Sequence, residues 1–181
     1  MITIKIYEHE NELAEVKKLR KEIFCNELKI QQEDFIDPYE DKESLVLLLK
    51  YNSCIIGTAR IVFSQADFEF YFSYFLLRKE FRQGLAGVYL IGGLLYFMEC
   101  NCLQQVSAHA HEKVTNLYLK FGFKKLGIPF YKYGFNCLWT KMNYCLGTNQ
   151  EFEQYSIDRI KKFISPADMQ LFYKKYELVK L

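Results

Sequence analysis

Phe81-Arg82-Gln83-Gly84-Leu85-Ala86-Gly87 stands between two segments of opposite character. Before it, Phe68 to Leu77 is dense in Phe and Tyr and has the β-prone composition of a strand. After it, Leu85 to about Glu99 is nearly all apolar and too long for an ordinary strand, so it reads as a buried helix. A strand that passes through a glycine-containing turn into a helix leaves free N–H groups at the positive end of the helix dipole. Small residues at Gly84, Ala86 and Gly87 let a ligand approach the main chain closely, and Arg82 adds a cation. The arrangement suits a phosphate or pyrophosphate, although such turns also arise for purely structural reasons.

Upstream, Ile2, Ile4 and Ile6 alternate with Thr3 and Lys5, the period of a strand with one buried face. Apolar residues then recur at Leu13, Val16, Leu19, Ile23, Phe24 and Leu28, which predicts a helix of about four or five turns capped by Asn11. Gln31 to Glu43 is polar and largely acidic and reads as an exposed loop. Leu45 to Leu49 and Ile55 to Phe63, with a turn-rich interval between them, predict an antiparallel hairpin to which Phe68 to Leu77 adds a third strand.

Downstream, Gln105 to His109 alternates as a short strand would. Glu112 to Phe121 has a helical apolar face, with Gly122 where a C′ residue sits. Phe123 to Tyr133 and Phe135 to Tyr144 close the sheet as a strand pair around Gly134. The strand-helix-strand unit from Phe68 to His109 must return parallel to its start, so the class is mixed α/β. Residues 1–146 form this domain. Residues 147–181 read as a helical extension, with Ser165 as cap and Pro166 at the first position of a last helix.

The chain has 181 residues, with 24 Lys and Arg against 22 Asp and Glu. A net charge of +2 gives no field to hold a polyanion, and no basic patch favours nucleic acid. The longest apolar stretch, Val88 to Met98, is shorter than the roughly 18 to 20 residues of a membrane span. The start, Met1 to Ile6, resembles neither a signal nor a transit peptide, so a cytoplasmic location is expected. The six cysteines lack the spacing of a zinc ribbon or disulfide scaffold and read as reduced thiols. The 16 Phe and 14 Tyr are mostly core, with the remainder free for an apolar groove or a partner surface.

Taken with this order of elements, the Phe81–Gly87 segment resembles the acyl-CoA pyrophosphate loop of the GNAT superfamily of N-acyltransferases. That loop reads Gln or Arg, two residues, Gly, one residue, then Gly or Ala. Gly84 and Ala86 match, Phe81 takes the Gln or Arg position, and Arg82 falls one place late. Leu117-Tyr118-Leu119-Lys120-Phe121-Gly122-Phe123 resembles the superfamily's Leu-Tyr-x-x-Leu-Gly-Phe segment, whose Tyr protonates the departing CoA thiolate. Arg20-x-x-x-Phe24-x-x-Glu27, then Asp34-x-x-Asp37, then Gly57-Thr58-Ala59-Arg60 is similar to a branch that includes acyl-homoserine lactone and N-acyl amino acid synthases. The resemblance implies a mixed, mostly antiparallel central sheet with a splayed parallel strand pair and flanking helices.

It implies further that Leu76, Leu77, Arg82, Gln83, Gly84, Leu85, Ala86 and Gly87 hold an acyl-CoA, acetyl-CoA by default. Arg20, Phe24, Glu27, Asp34, Asp37 and Arg60 would shape the site of an amine acceptor, a small molecule or a peptide. Acidic groups there would attract a cationic acceptor. Tyr118 is the expected acid, since a phenol with a pKa of about 10 stays protonated at neutral pH. His109, with His111 two residues on, and Glu69 are candidates for the base, and each also has a structural reading. No third ligand accompanies the two histidines, so no metal is expected. An acyltransferase working by direct attack is the leading expectation. A long acyl donor on CoA or acyl carrier protein is the alternative, and a non-catalytic CoA- or partner-binding module is the rival.

Overall fold

The computed structural model describes residues 1–29, 41–131 and 137–170. Seven strands form one sheet: β1 (Ile2–Ile6), β2 (Leu45–Tyr51), β3 (Cys54–Ser64), β4 (Glu69–Leu77), β5 (Gln105–His111), β6 (Lys124–Tyr131) and β7 (Leu138–Cys145). The spatial order is β1-β2-β3-β4-β5-β7-β6. Every neighbouring pair is antiparallel except β4 and β5. The helices are α1 (Glu10–Lys21), α2 (Ala86–Cys100), α3 (Thr115–Lys120) and α4 (Gln150–Ile160). Past Lys21 the first helix widens into a π-helical turn, Glu22–Glu27.

The two faces of the sheet explain the runs of apolar sequence. Leu45 to Leu49 is buried at every position because both sides of β2 are covered. Val46 and Leu48 pack with Val16, Leu19 and Ile23 of the first helix, whereas Leu45, Leu47 and Leu49 pack in the larger core against α2. Helix α2 is apolar all round because it lies between the sheet and α4. Leu90, Ile91, Leu94, Leu95 and Phe97 are fully buried, and truncating one of them to Ala would cost about 2–5 kcal/mol. Where α2 crosses α4, a Cβ on Gly92 would stand 2.7 Å from the Ser156 carbonyl oxygen, so only glycine permits the contact.

The first helix begins two residues earlier than its sequence indicates. His9 occupies the cap position in place of Asn11, whose side chain instead accepts from the neighbouring Glu12 N–H. The reason is Glu12, which reaches back to accept the Glu8 N–H at 3.2 Å and so fixes the start ahead of Asn11. Strand β5 runs two residues further than expected, to His111, because β7 pairs with it as far as Trp139. Gly134 lies outside the described residues. In the extension, Asn149 caps α4, and Ser165 caps a further helical stretch at 166–170 by accepting the Asp168 N–H. Glu153 ties α4 to the sheet, accepting from the Tyr144 hydroxyl at 2.6 Å and from the Gly147 N–H at 2.9 Å. No helix among the described residues is long and apolar enough to cross a membrane.

Candidate functional site

Parallel pairing between β4 and β5 is confined to Tyr71 with Ser107 and Phe72 with Ala108. The cause is a bulge in β4. Thr58 pairs with Leu76 and Arg60 with Ser73, so three steps along β4 answer two along β3. Tyr74 takes up the extra residue at φ +48°. Such a bulge bends its strand and increases the local twist, which carries Ser73–Leu77 away from β5. Main-chain groups on that edge of β4 then lose their β5 partners and line a cleft between the strand ends.

The turn after β4 places the mouth of α2 beside this cleft. Arg78 holds the strand end, its Nε donating to the Ile55 carbonyl and its Nη1 contacting the Glu22 carboxylate at 3.0 Å. Arg82 donates from Nε to the Leu77 carbonyl at 2.9 Å and pairs through Nη2 with Glu27 at 2.6 Å. Gly84 has φ +97°, a conformation that L side chains rarely adopt, and a Cβ there would meet open space. Leu85 caps α2, and its carbonyl takes the first helical donors, Val88 and Tyr89. The amides of Gln83 to Gly87 therefore precede the helical ladder. Gly87 lies against Phe75 and Phe121, and Tyr118 meets Phe75 edge-on at 6.0 Å. The bulge, the helix mouth and Tyr118 thus converge. Tyr118 is 5% exposed, and burial lifts its phenol pKa well above the ordinary value.

On the α1 face of the sheet, Arg20, Phe24 and Arg60 lie together, around residues the sequence did not single out: Asp41, Ser73 and Tyr74. Arg20 Nη1 donates to Asp41 Oδ2 at 2.7 Å, and Arg60 Nη1 to Asp41 Oδ1 at 3.4 Å. Arg60 Nε donates to Ser73 Oγ at 3.1 Å. Both guanidinium groups lie over the Tyr74 ring, at 3.9 and 4.4 Å, and Phe24 meets the same ring edge-on. Burial pulls the Arg20 pKa below its usual value, with Asp41 opposing that shift. Asp34 and Asp37 lie outside the described residues. Glu27 stands at Arg82, beside the helix mouth.

The two base candidates occupy different places. His109 follows the last parallel pair, where the cleft opens, between the Tyr71 and Phe130 rings at 5.2 and 5.3 Å. Glu69 is at the far end of β4, accepting from Ser107 Oγ and Lys141 Nζ, each at 2.9 Å. Although burial works to raise its pKa, those two donors outweigh it and hold the carboxyl below its usual range. His111 is buried, with Nδ1 accepting the Lys113 N–H, and burial lowers its pKa. No group of three or more His, Cys, Asp or Glu among the described residues could hold a metal ion.

No protein-family model and no curated sequence matches the chain. Solved structures do. Escherichia coli ElaA is 21% identical with a TM-score of 0.66, over 79% of this chain and 99% of that one. BjaI, a CoA-dependent acyl-homoserine lactone synthase solved with SAM and isopentyl-CoA, is 18% identical with a TM-score of 0.68, over 89% and 90%. An acetyltransferase of the GNAT family from Staphylococcus aureus Mu50 is 16% identical with a TM-score of 0.65, over 81% and 99%. At these TM-scores, over nearly the whole of each structure, the fold of this chain is the GNAT acyltransferase fold.

Proposed function

We propose that the protein is an acyl-CoA-dependent N-acyltransferase. The observation that carries this reading is the cleft between β4 and β5, which opens beside an amide-lined helix mouth. Binding of isopentyl-CoA by a protein of the same fold supports it. The amides of Gln83 to Gly87 would bind the pyrophosphate, with Gly84 leaving the space a side chain would fill. Leu76 and Leu77 would hold the pantetheine along the strand edge. Arg82 keeps the loop against the end of β4 through the Leu77 carbonyl.

The acceptor enters from the α1 face, where Arg20, Asp41, Arg60 and Tyr74 lie. Its neutral amine attacks the thioester carbonyl, a C–N bond forms and the C–S bond breaks. The proton shed by the amine passes to His109, which stands where the cleft opens. Tyr118 gives its proton to the departing thiolate. Glu69, held as a carboxylate by Lys141 and Ser107, anchors the far end of the strand pair.

The test is a thermal-shift titration with acetyl-CoA, followed by a free-thiol assay of CoA release with a panel of amines. Stabilisation by acetyl-CoA and amine-dependent thiol release are expected. Stabilisation without release from any acyl-CoA would identify a CoA-binding module, and no stabilisation by any acyl-CoA would overturn the reading altogether.

A further inference from the structure

The loop proposed to take the diphosphate has little packing of its own. Residues 82–85 are exposed and belong to no regular element, and Gly84 at φ +97° adds freedom rather than contacts. Main-chain amides grip an anion well only when they already point at one place, so the shape of the loop must be held from outside it. Two arginines do this, and they are used alike. Arg78 donates from Nε to the Ile55 carbonyl and from Nη1 to both oxygens of Glu22, at 3.2 and 3.0 Å. Arg82 donates from Nε to the Leu77 carbonyl and pairs through Nη2 with Glu27 at 2.6 Å. Each is a strut from a strand-end carbonyl to a carboxylate beyond the end of α1. Both carboxylates belong to the π-helical turn, where the Leu28 N–H reaches the Ile23 carbonyl, five residues back, at 3.0 Å. In an α-helix, residues five apart point about 140° away from each other. The wider turn brings Glu22 and Glu27 toward one side, and both meet the segment 78–82. Phe24, between them, packs edge-on against the bulge residue Tyr74 at 5.8 Å. The turn therefore touches the end of β4, the loop and the bulge.

Resting on the acyltransferase reading, we propose that the π-helical turn is the brace of the donor site, with Glu22 and Glu27 as positioning residues that hold the diphosphate loop through Arg78 and Arg82. This moves Glu27 from the acceptor side, where the sequence resemblance put it, to the donor side. Neither carboxylate contacts the diphosphate in this arrangement, and one that did would repel it. They act through the arginines, whose charge they also balance, so affinity rests on the direction of the amides and the helix dipole more than on a free cation. Removing one carboxylate loosens one strut. Removing both lets the loop drift to shapes in which its amides diverge. A regular α-helical turn would point the two carboxylates apart and allow only one strut, which is a physical reason for the wider turn here.

The experiment titrates the full chain with CoA by calorimetry, wild type beside the double variant Glu22→Gln and Glu27→Gln. Both are then assayed with acetyl-CoA and an amine that the wild type acylates. Gln keeps each side chain's size and removes only its charge. Because both pairs are half-exposed, the double variant is expected to melt within a few degrees of the wild type. Its Kd for CoA and its KM for acetyl-CoA should rise about 10-fold, the sum of two such pairs. The kcat and the KM for the amine should stay as they are, since only donor binding is touched. Glu27→Gln alone should give a rise of about threefold. An unchanged Kd for CoA would overturn the proposal. So would a raised KM for the amine with CoA bound normally, which would return Glu27 to the acceptor side. Equal losses in kcat and in both KM values would show general loosening and overturn it as well. If the wild type acylates no amine, the Kd for CoA decides alone, and if the double variant does not fold, Glu27→Gln decides. Absence of CoA binding in the wild type would instead bring down the acyltransferase reading, and the brace with it.

Discussion

The role proposed for Tyr118 asks for a phenol that holds its proton. Its ring is packed edge-on against Phe75 and Phe123, and burial raises its pKa, so it stays protonated beyond the pH at which an ordinary phenol ionises. A proton kept in place until a thiolate appears is what an acid in thioester aminolysis requires. Tyr118→Phe should lower kcat by about 100-fold or more and leave CoA affinity intact, as read from initial rates and calorimetry. The alkaline limb of the rate should also show no titration of Tyr118 near 10, the ordinary phenol value. Unchanged kcat would move the acid elsewhere. Gly57 is subtler. A Cβ there would lie 2.5 Å from Leu77 Cδ2 and 2.9 Å from the Leu76 carbonyl oxygen, and the second of these is main chain that cannot swing aside. Gly57→Ala should push the end of β4 outward, costing about 1–3 kcal/mol in denaturant unfolding and weakening CoA binding. A variant that binds CoA normally would mean that this strand end does not set the donor site. Both residues stand in stretches whose composition was readable, but their reasons were not. Gly57 sits in Gly57-Thr58-Ala59-Arg60, and only the register of β3 on β4 shows that a carbonyl approaches it.

At the scale of elements, what could be read was whatever depends on period. The alternation of Ile2 to Ile6, the unbroken apolar run of α2 and the helix ending at Gly122 each follow from side-chain direction alone. What could not be read was whatever depends on a partner. The bulge at Tyr74 arises from the mismatch between two strands, and Tyr74 itself is not a residue type that announces a positive φ. Asp41 was one carboxylate among many in a polar segment until the approach of α1 to β3 brought it between Arg20 and Arg60. The junction of β1, α1 and β2 has the same character, because Glu12 joins them. It accepts from Lys50 Nζ at 2.7 Å and pairs with Lys5 at 3.3 Å. Burial works to raise its pKa, but the bond from Lys50, the Glu8 N–H and the contact with Lys5 outweigh burial and hold the carboxyl at about 2. A folded-state pKa below the unfolded value stabilises above the unfolded pKa, and the gain is lost as pH falls through the folded one. The junction should therefore weaken from about pH 4.5 down to about pH 2. Glu12→Gln should flatten this acid limb, removing at most about 3 kcal/mol at neutral pH, as followed by urea unfolding at stepped pH. An acid limb equal to that of the wild type would assign the acid loss to other carboxylates.

For the whole molecule, the open question is how long an acyl chain the fold accepts, and packing supplies the argument. The aromatic load could have lined a groove, but much of it fills the core: Phe72, Tyr96, Phe97, Phe123 and Tyr144 are all 2% exposed or less. Behind the point where β4 leaves β5, Phe72, Leu94, Ala108, Ala110 and Met142 belong to one continuous buried cluster with Tyr118 and Phe123. A long acyl chain entering between the strands would have to displace these residues, and close-packed interiors resist even one added methylene. An acetyl group asks for no such displacement. In a thermal-shift series, acetyl-CoA at 100 times its Kd should raise Tm by roughly 5–10 °C. Hexanoyl- and decanoyl-CoA at equal concentration should raise it less. CoA itself should account for most of the effect, since the pyrophosphate and pantetheine contacts proposed above would lie on main chain. A shift that grows with chain length would show that the cluster behind the cleft parts to admit lipid, and the donor would then be a long-chain thioester.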